Sequence, residues 1–107
     1  MTAAKMPGEV SDALAQTHPT LSGAALDELA YGINRECAAQ VLYEFTDGRE
    51  GHRAGSFRVS LFVTMSKADP ENMARLTIAF PAEALAFSVG QYVPNGLAAL
   101  RKAANRG

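Results

Sequence analysis

Several signals that mark a functional class are missing from this chain. There is one cysteine, Cys37, in 107 residues. No internal disulfide framework can form, which fits a reducing compartment. The two histidines, His18 and His52, show no metal-ligand spacing such as a pair one helical turn apart. No stretch reaches the roughly 18 apolar residues that a membrane span needs. The opening MTAAKMPGEV has no apolar run behind Lys5, so it does not read as a secretory signal. A net charge of −1 gives no bulk attraction to nucleic acid or to a membrane surface. There is no phosphate-cradling Gly-Lys-Ser/Thr loop, no dinucleotide fingerprint and no Gly-x-Ser-x-Gly elbow. These absences point to a cytoplasmic, non-enzymatic protein with no membrane segment, no cofactor and no metal.

What is present is the composition of one ordinary globular domain: 48% hydrophobic and 20% charged residues. The charge is unevenly placed. Residues 1–50 hold eight acids and three bases, a balance of −5, and residues 51–107 hold three acids and seven bases, a balance of +4. Head-to-tail pairing or an anionic partner for the basic half would use such an asymmetry, and chance would also produce it.

Residues 1–20 read as an N-terminal arm, with a short helix over Glu9–Thr17 that His18-Pro19 stops. A single domain follows over 21–107. Its organising stretch is Ser22–Phe45, which the spacing predicts as one long helix capped by Thr20 or Ser22 and ended at Asp47-Gly48. At 100° per residue, Leu26, Leu29, Ala30, Ile33, Cys37 and Val41 share one stripe, the natural core face. Tyr31, Ala38, Leu42 and Phe45 form a second line. That line either packs under the C-terminal helices or meets a partner, most simply a second copy.

Ser56–Lys67 alternates strictly, with Phe57, Val59, Leu61, Val63 and Met65 on one side and only Phe62 breaking the rule. This is the pattern of a half-buried strand. Met73–Phe80, with Leu76, Ile78 and Phe80 inward, reads as its hairpin partner across a polar turn containing Pro70. Residues 81–93 suit either a helix or a third strand, and the helix is preferred because Pro81 and Glu83 look like a helix start. Leu97–Asn105 reads as a last helix, with basic residues near its end. The expected fold is therefore α+β: the long helix on an antiparallel hairpin or three-stranded meander, followed by one or two short helices.

Two functional readings follow. The first is a protein–protein interaction or assembly module, an oligomeric adaptor, regulator or structural component working through Tyr31, Ala38, Leu42 and Phe45. The small size and lack of motifs would also suit a phage-encoded protein. The second is a nucleic-acid-binding accessory. The glycine-rich loop 48–55 carries Arg49, His52 and Arg53. Arg58 and Arg75 on the strands would join them, and Phe62 would stack on a base. Cys37 falls on the core stripe and reads as a buried structural thiol, not as a nucleophile.

Overall fold

A computed structural model describes residues 5–21 and 24–105. Among them the chain forms seven α-helices: α1 (Gly8–Thr17), α2 (Leu26–Gly32), α3 (Arg35–Phe45), α4 (Ser56–Lys67), α5 (Pro70–Ala79), α6 (Pro81–Tyr92) and α7 (Gly96–Ala104), with a single 3-10 turn at Pro19–Leu21. No strand occurs among the described residues. The α+β expectation is therefore overturned: both hairpin strands are helices, and the domain is all-α.

The architecture is built around α6. Its sequence is apolar on every side, and a helix of that kind must be surrounded. Ala84 to Val89 are all buried, and α6 touches α1, α3, α4, α5 and α7. Phe87 takes the edge of Phe45 from α3, with ring centres 5.3 Å apart. It also stacks on Phe62 from α4 at 6.3 Å. Gly90 makes room for this cluster, because a Cβ there would lie 2.7 Å from the Phe45 ring.

The long helix expected over 22–45 is two helices. Asn34 explains the break. Its side chain accepts the Cys37 amide at 3.0 Å and so caps α3, while Gly32 and Ile33 close α2. The start expected at Ser22 lies outside the described residues; α2 begins at Leu26 with Ala25 as its N-cap. Most of the core stripe survives the break: Ala30, Ile33, Cys37 and Val41 are buried, while Leu26 and Leu29 are half-buried. Six consecutive residues of α3, Cys37–Leu42, are buried because α6 and α7 both pack on this helix.

The second expected strand begins with a helix signal that reads as a turn by composition alone. Asp69 accepts the Asn72 amide at 2.8 Å, and Pro70 occupies the first helical turn. α5 then lies along α1, with Val10 and Ala13 of one helix and Met73 and Thr77 of the other buried. Helix α7 closes the bundle over α2, α3 and α6. Gly96 lets its first turn reach the end of α6, since a Cβ there would fall 1.9 Å from the Val89 carbonyl oxygen.

Candidate functional site

Helix α4 is the element whose packing is least complete. Six of its twelve residues are apolar, and a helix turned toward a core on one side cannot hide residues spread all round it. Leu61, Phe62 and Met65 go inward. Phe57 stays 63% exposed and Val63 43% exposed. Phe57 is steadied by Phe80, with ring centres 5.8 Å apart, yet most of its surface faces solvent.

Charge is distributed the other way. Arg58 points inward and joins three helices. It donates to the Gln40 side-chain oxygen at 3.1 Å, lies 3.4 Å from the Glu83 carboxylate and 3.7 Å from that of Glu36. Gln40 in turn donates to Glu36 at 3.0 Å. The outward side of α4 is left with Ser56, Phe57, Ser60, Val63, Thr64, Ser66 and, at its end, Lys67 as its only charge. An exposed helix face with two large apolar side chains and one charge is informative in a way that a lone surface leucine is not.

The residues singled out from sequence do not gather at one place. Of the Tyr31/Ala38/Leu42/Phe45 line, Ala38 and Leu42 are buried within the chain and Phe45 packs on Phe87. Tyr31 is 70% exposed, with the Lys102 ammonium 5.9 Å from its ring centre. Of the basic set, Phe62 is 2% exposed in the core and has no face to offer a base. Arg58 is committed to two carboxylates, and Arg75 pairs within its own helix with Glu71 at 2.7 Å. Arg49, His52 and Arg53 are exposed. Arg49 spends its Nε on the Thr46 carbonyl at 3.0 Å.

The glycine-rich loop approaches α3, not open space. The His52 amide donates to the Ala39 carbonyl at 3.3 Å. Gly51 has a φ of +72°, and a Cβ there would lie 1.9 Å from that oxygen. The loop's acid is held as well. Glu50 takes Arg101 through two bonds of 2.6 and 2.9 Å, and this guanidinium holds the Glu50 carboxyl below the usual range.

The charge asymmetry between the halves of the chain is used internally. Asp27–Lys102, Glu36–Arg58 and Glu50–Arg101 each join an acid of the first half to a base of the second. Exposed pairs of this kind contribute little stability, but they reduce the free positive charge available to an outside anion.

Cys37 is fully buried. Burial pushes its thiol up, opposed in part by Arg58, so the nucleophilic thiolate is disfavoured. Among the described residues no three His, Cys, Asp or Glu side chains are grouped to hold a metal ion. No helix among them is long and apolar enough to cross a membrane.

The outward residues of α4 were not predicted as a site. Phe57 and Val63 belong to an alternation of period two, which is why the sequence places them inward on a strand. The available signal was the failure of the same residues to share one side of a helix. Comparison of the chain with protein-family models, with curated proteins and with solved structures gave no match.

Proposed function

We propose that this protein is an assembly module that pairs with a second copy of itself through the outward face of α4. The observation that carries the reading is the exposure of Phe57 and Val63 on a helix face with one terminal charge. The order of residues on that face favours a like partner. Counting from Ser60, the positions three away on either side are Phe57 and Val63, and the positions four away are Ser56 and Thr64. When two such helices lie antiparallel about a two-fold axis at Ser60, the two Ser60 residues meet at the centre and the Phe57 and Val63 of both chains flank them, Phe57 of one beside Thr64 of the other and Val63 beside Ser56. That is the self-complementarity an isologous contact requires. Ser60 itself is small enough to let the two backbones approach.

The test is the mass in solution, by light scattering, of the wild type and of Ser60→Arg. Ser60 is exposed, so the substitution leaves the fold intact, which circular dichroism checks. The expected result is a dimer for the wild type and a folded monomer for the variant. Pairing of this kind also persists as salt rises, whereas binding to a nucleic-acid backbone weakens steeply. A wild type that stays monomeric up to about 1 mM, where association is worth only about 4 kcal/mol, overturns the proposal. So does a Ser60→Arg variant that still dimerises.

A further inference from the structure

A cleft of about 290 Å³ opens between α1, the 3-10 turn, α2 and α6. Leu14, Leu21, Leu29, Leu85 and Val89 form its walls, and no Asp, Glu, Lys or Arg is among its described lining residues. None of the lining residues belongs to α4, so the cleft is separate from the face discussed above. Walls of this kind give a water molecule few hydrogen-bond partners, so an apolar molecule displaces water there readily.

His18 is the titratable group on the lining, with Ser11 also contributing to it. The state of its ring follows from its neighbour. The Thr17 hydroxyl has one proton, and it donates to the Ala13 carbonyl at 3.0 Å. The same oxygen lies 2.8 Å from His18 Nδ1. With that proton on Ala13 the oxygen accepts from His18, and the ring proton sits on Nδ1, the tautomer on which the assignment below rests. In the neutral ring, Nε2 then carries the lone pair and can only accept.

We propose that this cleft binds a small neutral alcohol or phenol, with an apolar body against the leucines and its hydroxyl donating to His18 Nε2. The size follows from the volume. A sealed apolar cavity of about 150 Å³ takes benzene, so a space about twice as large takes a body of about ten carbon atoms, a fused bicyclic ring or a medium-length alkyl chain. The absence of charge from the lining disfavours a carboxylate or an ammonium, which would lose its hydration without a partner. The position follows the general habit of small-molecule sites, an apolar concavity with few and well-placed polar groups.

Three probes of one shape separate the parts of this assignment: 2-naphthol, naphthalene and 2-naphthoate, each titrated into the full chain and followed by methyl NMR. Shifts are expected at Leu14, Leu29, Leu85 and Val89. The affinity for 2-naphthol should exceed that for naphthalene by about tenfold, the worth of one hydrogen bond, and 2-naphthoate should bind more weakly than either. In His18→Leu the preference for 2-naphthol should vanish while naphthalene binding persists, which separates loss of the acceptor from loss of the fold. The assignment is overturned if the methyl shifts lie elsewhere, if 2-naphthol and naphthalene bind equally, or if His18→Leu keeps the preference. Absence of any shift at about 1 mM probe, the millimolar limit of weak binding, overturns it as well.

Discussion

Replacing Gly51 by alanine tests whether the loop between α3 and α4 is a fixed strap or a free ligand-binding segment. Three costs arise at this position. A φ of +72° is a left-handed conformation that costs a residue bearing a Cβ about 1–2 kcal/mol. The new Cβ would stand 1.9 Å from the Ala39 carbonyl oxygen and 3.2 Å from the Leu42 Cβ. The obstacle is backbone inside a packed helix, so the loop must lift by about 1 Å, which breaks the His52 amide bond to Ala39 and loses about 1 kcal/mol. Ala54, buried beside it, loses part of its cover, for about 1 kcal/mol more. The total is about 3–4 kcal/mol, against the 5–15 kcal/mol typical of a whole domain. In urea, with a slope of about 1–1.5 kcal/mol per molar, the midpoint should fall by about 2–4 M. Two other glycines calibrate the effect. Gly48→Ala meets only side-chain atoms of the Tyr43 ring, at 3.3 Å with φ +80°, and should lose about 1–2 kcal/mol. Gly55→Ser has open space and sits at the N-cap of α4 with no capping bond, so it should be neutral or more stable by a few tenths of a kcal/mol. A Gly51→Ala midpoint within about 0.5 M of wild type would show that the loop does not rest on α3, and the case for a strap would fail.

Three further outcomes follow from the geometry. Ser88 on α6 is buried with its hydroxyl unpartnered, so Ser88→Ala should raise stability by about 0.5–1 kcal/mol, read as a higher urea midpoint at unchanged slope. Asp69→Ala removes the cap of α5 and should cost about 1 kcal/mol, whereas in a hairpin turn the same change would leave helical circular dichroism over 70–79 untouched. Burial lowers the pKa of His18 from its ordinary value of 6.5, opposed in part by the Leu14 carbonyl. The unfolded chain therefore takes up that proton at higher pH than the folded chain does. Stability should fall as pH drops below about 6.5 and level off once the folded ring also protonates. His18→Asn should be flatter than wild type over this window in urea midpoints taken at stepped pH.

Legibility in the sequence followed local chemistry. The stop at His18-Pro19 marks the end of α1, and Pro81 with Glu83 marks the start of α6. The last helix fell within a residue of its expected start. The stripe from Ala30 to Val41 was visible because period-3.6 burial leaves a trace even where a helix breaks. The break is also present in the sequence, as Gly32 followed by the cap Asn34, but the apolar period runs unbroken across it. Asp69-Pro70 is a helix start, but with an apolar alternation behind it the same dipeptide also fits a turn before a strand. What could not be read locally was the fate of Ala38 and Leu42. A helix buried on two sides looks the same whether its own chain or another covers it, and here α6 and α7 do so. The glycines of 48–55 suggested close approach of a ligand, and Gly51 is indeed used for close approach, but to the Ala39 carbonyl of the chain itself.

The error over α4 has a different character and bears on function. A strand at 56–67 would have hidden Phe57, Val59, Leu61, Val63 and Met65 together, and it would have needed an edge to pair with. Among the described residues there is no such edge, so the segment takes its hydrogen bonds within itself. The helix penalty of its β-branched residues, at most about 0.7 kcal/mol each, is small beside the burial of Leu61, Phe62 and Met65. The cost of that choice is that period two wraps apolar side chains around a period-3.6 element, and Phe57 and Val63 come out on the solvent side. A sequence under selection for solubility alone would carry charge at such positions. Local pattern and fold disagree here, which is where functional constraint is expected to show. The disagreement falls symmetrically about Ser60, which is why a second copy of the same helix is the partner we propose for this face.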